Sequence, residues 1–216
     1  LLTMLQSMDH GVASDINTSS YGYYYQYLIT SSLGAASVKK ESLDEIFNYI
    51  KELSFFYYKS GKLTHSFDSL WEFNRNFCDD YGLKIDCSSR LGLLENARVL
   101  QCTDDIYAFK YPYVYYFFIA KYLSDNLSDD ECILIVDELI ESLGKRKSMD
   151  ILMFLTHHSK DKNILDKIVS KSKKIFEGVT PADLDLNSKF LENIVDNIPM
   201  INFRNVDTQE YRKGVE

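Results

Sequence analysis

The segment Arg-Val-Leu-Gln-Cys-Thr-Asp-Asp-Ile-Tyr-Ala-Phe-Lys, residues 98–110, decides the fold. It contains two short runs of β-prone residues on either side of the turn-forming group Thr103-Asp104-Asp105. This pattern predicts a small β-hairpin. The sequence on both sides of the segment has helical spacing, so the hairpin is the landmark from which the rest of the chain can be interpreted.

Three helices are predicted directly ahead of the hairpin. Ser42-Leu-Asp-Glu has the form of a capping box closed by Glu45, and this predicts the start of a helix that ends at Gly61. The second helix, at about 67–81, follows a start signal at Thr-His-Ser, residues 64–66, and ends at Gly82; it places Leu70, Phe73, Asn74 and Phe77 together. The third helix is predicted at about 88–96. The order helix–helix–helix–hairpin is typical of a winged helix, in which the hairpin is the wing and 88–96 takes the place of the recognition helix.

Further helices are predicted on both sides of this unit. Apolar residues at helical spacing predict one helix before it, which Gly34 ends, and five after it. In chain order these helices lie at about 21–33, 113–123, 129–143, 148–157, 161–177 and 181–198. The fold class is therefore mainly α: a winged-helix domain with a small β-hairpin, followed by an all-α helical bundle or array.

Composition limits the possible functions. The chain has 216 residues, with 24 basic and 32 acidic residues and a net charge of −8, which argues against binding to nucleic-acid phosphates. The segment 88–96 has one arginine, Arg90, and one glutamate, Glu95, as its only charged residues, so we do not expect it to bind DNA. No stretch of about 20 apolar residues predicts a membrane span. The four cysteines form no C-x-x-C pair, and we interpret them as reduced thiols of a cytoplasmic protein.

No motif in the sequence predicts catalysis. The P-loop pattern G-x-x-x-x-G-K-[ST] is absent, so we expect no catalytic residue and no metal site in this chain. The pair His157-His158 with Asp161 could supply metal ligands, but a third ligand is not evident, and we favour a helix end followed by a cap at Asp161. We interpret three acidic pairs as solvated turns and caps: Asp79-Asp80, Asp104-Asp105 and Asp129-Asp130.

Tyrosine is unusually frequent, with 16 residues that concentrate at 21–27 and 111–116. Tyrosine is enriched at protein interfaces, which allows an alternative function as a free-standing helical protein-interaction module with a tyrosine-rich surface. The helical spacing of these residues also fits rings packed in a core with their hydroxyls at its edge. For any single tyrosine we favour the core interpretation.

The segment Phe-Lys-Tyr-Pro-Tyr-Val-Tyr-Tyr-Phe-Phe-Ile-Ala-Lys-Tyr-Leu, residues 109–123, resembles the F-x-H-x-x-F-x-E-Y-F-x-A-x-x-L segment that closes the winged-helix domain of STAND (NACHT-like) signalling NTPases. The family's histidine falls at Tyr111 and its glutamate at Tyr116. That histidine contacts the nucleotide β-phosphate in related proteins, so the resemblance implies a nucleotide-sensor position at Tyr111. The matching residues are Phe109, Phe117, Phe118, Ala120 and Leu123.

The resemblance also implies a division of the chain into four regions. Residues 1–40 would be the end of a helical lid and a linker helix, and 41–125 the winged-helix domain. Residues 126–200 would form a helical connector next to the sensor, and 201–216 a polar tail. The chain begins inside an apolar segment without an initiator methionine, so we expect a fragment of a longer protein.

The function that the resemblance implies is that of a switch. In such proteins the winged helix packs over bound ADP, and its release lets copies of the protein assemble. We therefore expect a regulatory, non-catalytic fragment of a bacterial STAND NTPase that controls switching and oligomerisation in antiphage defence. Its partners would be the preceding NTPase domain, further copies of the protein and a protein trigger. ATP or ADP with Mg would bind to the parent protein, and no cofactor to this chain.

Overall fold

A computed structural model describes residues 20–175 and 177–178 of the chain. Eight α-helices and three short strands lie in this part of the protein. The helices are α1 (Ser20–Ala35), α2 (Leu43–Ser60), α3 (Phe67–Tyr81), α4 (Cys87–Asn96), α5 (Pro112–Asp125), α6 (Asp130–Glu141), α7 (Arg146–Ser159) and α8 (Lys162–Ile175). The strands are β1 (His65–Ser66), β2 (Leu100–Thr103) and β3 (Ile106–Phe109). The mainly α fold with a small hairpin is confirmed, whereas the helix predicted at 181–198 and the tail 201–216 lie outside the described residues.

The three strands form one antiparallel sheet in the order β1-β3-β2. The predicted hairpin pairs β2 with β3, with Leu100 opposite Phe109. Its turn residues Asp104 and Asp105 have φ values of 52° and 59°, which are typical of a type I′ hairpin turn. Strand β1 pairs with the other edge of β3 and was not predicted, because a strand of two residues has no alternation that a sequence could reveal.

The helix α5 lies in the centre of the core. It begins with Pro112, whose missing N–H is tolerated in a first turn. It packs against α2 and, most extensively, against α7. Side chains on nearly all of its faces are buried, as expected for a helix enclosed by its neighbours: Val114, Tyr115, Phe117, Phe118, Ile119, Ala120 and Leu123.

The helix α3 has the apolar face that the sequence predicts. The side chain of Ser66 accepts a hydrogen bond from the backbone N–H of Ser69 and caps the helix. Both α2 and α3 end at a glycine in the left-handed region, Gly61 with φ 67° and Gly82 with φ 62°, as predicted. The buried residues of α3 are Leu70, Phe73, Asn74 and Phe77.

The predicted capping box at the start of α2 is wrong. The backbone of Ser42 has φ −97° and ψ −3° and belongs to the 3-10 turn Lys40–Ser42, and its side chain makes no capping hydrogen bond. The carboxylate of Glu45 pairs with the guanidinium of Arg90 instead of the backbone of Ser42. The salt bridge from Glu45 to Arg90 of α4 therefore takes the place of the capping-box contact between Glu45 and the Ser42 backbone.

The predicted end of α1 at Gly34 is also wrong. The helix continues to Ala35, and the left-handed residue that follows is Ser37, with φ 65°. The backbone N–H of Val38 donates to the carbonyl oxygen of Leu33 at 3.1 Å, so the helix is closed one turn later than predicted. No helix among residues 20–175 is both long and apolar enough to cross a membrane.

Candidate functional site

Tyr111, the predicted nucleotide-sensor residue, lies at the surface just before α5. Its backbone is extended, with φ −126° and ψ 129°, and its side chain makes no capping hydrogen bond. The side chain is 37% exposed. Its ring stacks on Tyr113, with centroids 5.5 Å apart and 14° between the planes, and the Nζ atom of Lys110 lies 5.9 Å from its centroid. The Tyr111 ring therefore packs on the Tyr113 ring in the first turn of α5, with the positive charge of Lys110 beside it.

A row of aromatic rings connects Tyr111 to the core. The ring of Tyr113 lies 4.8 Å from that of Tyr25 in α1, and Tyr25 meets Phe154 of α7 edge-on at 5.3 Å. Phe154 in turn contacts Phe117 of α5 at 5.6 Å. We call these five residues the aromatic ladder. The ladder joins three helices, so a continuous row of ring contacts runs from Tyr111 to α1, α7 and α5.

The charge next to Tyr111 comes from Lys110 and not from the tyrosines. Burial, together with the neighbouring phenols of Tyr111 and Tyr24, raises the pKa of Tyr113. The Tyr113 side chain is therefore neutral at physiological pH. Lys110 is exposed, so its ammonium group is accessible to a ligand beside the Tyr111 ring.

His157 and His158 serve packing in this structure. The Oδ1 atom of Asp161 accepts the backbone N–H of Asn163 at 2.7 Å, which is the capping role favoured from the sequence. The Nε2 atom of His158 lies 3.2 Å from the carbonyl oxygen of Phe117, and burial lowers the pKa of His158 to about 3. Within the described residues, no group of three or more His, Cys, Asp or Glu side chains is placed to hold a metal ion.

The acidic pairs occupy turns and helix ends, as interpreted from the sequence. Asp104-Asp105 forms the hairpin turn, and Asp129 accepts a backbone N–H in the first turn of α6 at 3.0 Å. Asp79-Asp80 is exposed in the last turns of α3. These carboxylates lie on three different elements, an arrangement unlike the paired carboxylates of a general acid–base site.

Arg90 of α4 is engaged inside the protein. Its Nη2 atom pairs with Glu45, and its guanidinium lies 5.0 Å from the centroid of the Tyr49 ring. Its side chain is only 11% exposed. The one arginine of the predicted recognition-helix position is therefore not presented for contact with nucleic-acid bases.

A buried polar network that no sequence motif predicts lies beneath α4. The hydroxyl of Tyr49 donates to Oδ1 of Asn74 at 3.1 Å, and Nδ2 of Asn74 donates to the carbonyl oxygen of Ile85 at 3.0 Å. Tyr49 and Asn74 are both buried. Burial also raises the pKa of Tyr49, so its hydroxyl remains protonated and available as a donor. The network fixes the loop between α3 and α4; an asparagine on an otherwise apolar helix face was its one sequence signal.

Most described tyrosines belong to the core or to its edge. Tyr49, Tyr57, Tyr107 and Tyr115 are buried, as the favoured interpretation predicts. Among residues 22–175, the exposed ones are Tyr23, Tyr81 and Tyr111. They lie on α1, at the end of α3 and before α5, so they do not share one helix face.

Part of the chain matches a known protein family. Residues 64–119 match the model of a family described as Novel STAND NTPase 4. The chain contains a STAND NTPase-related region. This region runs from just before β1 through the hairpin into α5 and includes Tyr111. No curated protein and no solved structure gives a significant match to the chain.

Proposed function

We propose that this chain is a regulatory, non-catalytic part of a bacterial STAND NTPase that acts in antiphage defence. A winged-helix unit over 41–125 would control its closed and open states and its oligomerisation. The observation that carries the proposal is the family match over 64–119. The order of helices α2, α3 and α4 before the hairpin supports the winged-helix assignment. The absence of a P-loop pattern from the sequence is consistent with nucleotide binding by another domain of the same protein.

Tyr111 and Lys110 would together replace the family's histidine. A tyrosine hydroxyl can donate one hydrogen bond, and an ammonium group supplies the positive charge that the phenol lacks. This combination is complementary to a nucleotide phosphate. The stacking of Tyr111 on Tyr113 supports this role, because it restricts the orientation of the ring before a nucleotide binds.

The aromatic ladder would link nucleotide contact to the packing of the helices. A ligand shifts a two-state equilibrium only through contacts that it makes better in one state than in the other. ADP that contacts Tyr111 and Lys110 in the closed state alone would stabilise that state. Loss of this contact would favour the open state, in which copies of the protein assemble.

The test uses the complete protein encoded by the gene that carries this chain. The dissociation rate of a fluorescent ADP analogue is measured for the wild type, Tyr111→Ala and Lys110→Ala. We expect each substitution to accelerate dissociation about tenfold, since a charge-assisted hydrogen bond contributes roughly 1.5–3 kcal/mol. Tyr111→Phe removes the hydroxyl and keeps the ring stacked on Tyr113, so it distinguishes the contribution of the hydroxyl from that of the ring.

Tyr81→Ala is the matched control, since it removes another exposed tyrosine of the STAND NTPase-related region. Its ADP dissociation rate is expected to equal that of the wild type. Two results would contradict the proposal: a complete reading frame without a P-loop, or unchanged dissociation in both the Tyr111→Ala and Lys110→Ala proteins.

A further inference from the structure

Two pockets lie on either side of the loop between α3 and α4. One has a volume of about 400 Å³ and is bounded by the turn before α2 and the first half of α4. The other has a volume of about 440 Å³ and lies along α3. Lys84, Ile85 and Asp86 line both pockets, so the two form a continuous surface feature, which we call the Lys84 groove.

The loop between α3 and α4, which lines both pockets, is held in place by contacts with residues beneath it. The carbonyl oxygen of Ile85 accepts the hydrogen bond from buried Asn74, which is itself held by Tyr49. The Sγ atom of Cys78 lies 3.9 Å from the same oxygen. A loop held by buried hydrogen bonds loses little conformational entropy on binding, so the groove is preorganised for a ligand.

The two carboxylates that line the groove each already have a partner. The carboxylate of Glu45 pairs with Arg90. The carboxylate of Asp86 caps α4 and accepts the backbone N–H of Ser89 at 2.8 Å. The hydrogen bonds from the Ser89 side chain and backbone lower the pKa of Asp86, so this carboxylate is ionised and occupied.

The two lysines of the groove are open to solvent. Lys39 and Lys84 are exposed, and neither makes a salt bridge with another described residue. Within the same part of the chain, the buried Nη1 atom of Arg90 has no hydrogen-bond partner. The hydroxyl of Ser42 also lines the groove and does not cap α2. The groove therefore offers donors and positive charge to a ligand that brings acceptors.

The pocket along α3 adds an apolar contact. Trp71 is the one tryptophan in the sequence, and 49% of it is exposed. The guanidinium of Arg75 lies 5.5 Å from the Trp71 ring, and its contact with Glu72 at 4.0 Å joins two exposed side chains and is weak. Tryptophan and arginine are the residue types that contribute most to binding at protein interfaces.

We propose that the Lys84 groove binds an acidic peptide segment of a partner protein. Carboxylates of the segment contact Lys39 and Lys84, and an apolar or aromatic side chain packs on Trp71. Charge complementarity supports this occupant: the groove holds four basic side chains and two acidic ones, although the whole chain has a net charge of −8. A nucleic acid carries a negative charge on every phosphate along its length, so the net charge of −8 repels it more strongly than a short acidic segment. The inference does not depend on nucleotide contact at Tyr111.

The full 216-residue chain carries its own probe for this test, because tryptophan fluorescence reports on Trp71 alone. The ligand probe is a synthetic peptide in which a central phenylalanine is flanked by aspartates and glutamates. A control peptide carries asparagine and glutamine at those positions. We expect a saturable change in tryptophan emission with the acidic peptide, weakened by salt, and none with the control peptide.

The double variant Lys39→Glu/Lys84→Glu is expected to bind the acidic peptide at least about tenfold more weakly, since charges across an interface become repulsive. The matched control is Lys62→Glu/Lys145→Glu, which makes the same change in net charge at two exposed lysines outside the groove. All four lysines are exposed, and unchanged circular dichroism and thermal unfolding verify that the variants are folded.

Three results would overturn the inference. The first is the absence of a saturable response to the acidic peptide. The second is equal weakening by the two double variants, which would indicate attraction by net charge only. The third is a response to a single-stranded oligonucleotide without one to the peptide, which would assign the groove to phosphate ligands.

Discussion

Gly22 lies directly against the imidazole of His157. A methyl group at Gly22 would come within 2.1 Å of the His157 ring, much closer than any real contact. The neighbouring Tyr23 meets the same imidazole edge-on, with centroids 4.9 Å apart. Gly22 is buried and helical, so the missing side chain provides space for the contact between α1 and α7.

Gly22→Ala is expected to destabilise the protein. Overpacking costs about 1–3 kcal/mol, and the higher helix propensity of alanine, about 1 kcal/mol, offsets only part of this cost. The measurement is the free energy of unfolding in urea. Gly34→Ala is the matched control: it lies in the same helix, and an added Cβ there meets no atom within 4 Å. The free energy of unfolding of the control is expected to rise by up to about 1 kcal/mol. An equal rise in both variants would show that Gly22 is not closely packed.

Protein stability is expected to fall as the pH decreases from 7.5 to 5.5. Burial lowers the pKa of His158 to about 3, below the value near 6.5 of an unfolded histidine. The unfolded state therefore binds the proton first, and His158 alone removes about 1.4 kcal/mol of stability at pH 5.5. His65 and His157, whose pKa values burial also lowers, act in the same direction.

The variant His158→Gln tests this pH dependence, because glutamine does not titrate. Urea unfolding at the two pH values should show a smaller loss of stability for the variant than for the wild type. The neighbouring charges are the same in both proteins, namely His157, Lys121 and Asp125. An identical loss in the two proteins would mean that His158 is accessible to protons in the folded state.

The sequence predicts the elements whose signals are local. The hairpin follows from two β-prone runs around Asp104-Asp105, and α3 follows from a serine start signal, a helical apolar face and Gly82. Strand β1 exists only through its pairing with β3, so its own two residues could not reveal it. The capping box at Ser42 fails because Arg90, far along the chain, competes for Glu45.

The candidate site is less predictable than the fold, since it depends on contacts between distant residues. Family resemblance indicates the position of Tyr111, but no pattern indicates that Tyr113 would contact Tyr25 and extend the row to Phe154. The Lys84 groove was missed for the same reason: its lysines come from two loops that are adjacent only in the folded chain. The spacing of residues in a sequence predicts which side chains are neighbours within one helix or strand. The residues of these sites come from several helices and loops.

The network of Tyr49 and Asn74 gives a quantitative prediction. Asn74→Ala leaves the buried Tyr49 hydroxyl without its acceptor, at a cost of about 1–3 kcal/mol, and leaves the Ile85 carbonyl with only the weak contact to Cys78. Tyr49→Phe removes the donor to Asn74, and the effects of the two changes should be less than additive in a double-mutant cycle of unfolding free energies. Strict additivity would contradict the hydrogen bond.

Tyr81→Phe is the control for this cycle. Its hydroxyl donates to Glu52 at 2.9 Å, but the contact is exposed. The change in unfolding free energy should stay within about 0.5 kcal/mol, the usual range at the surface. A large effect there would show that loss of a tyrosine hydroxyl destabilises this protein irrespective of burial.

The hairpin turn supports a last prediction, which compares two substitutions at one position. Asp105 has φ 59°, where glycine has no steric penalty and alanine does. Asp105→Gly should therefore be more stable than Asp105→Ala by about 1 kcal/mol in urea unfolding. The same pair of substitutions at Asp79, an exposed helical position, should give the reverse order by a similar amount, because glycine is the poorer helix former. A preference for alanine at both positions would contradict the left-handed backbone conformation of Asp105.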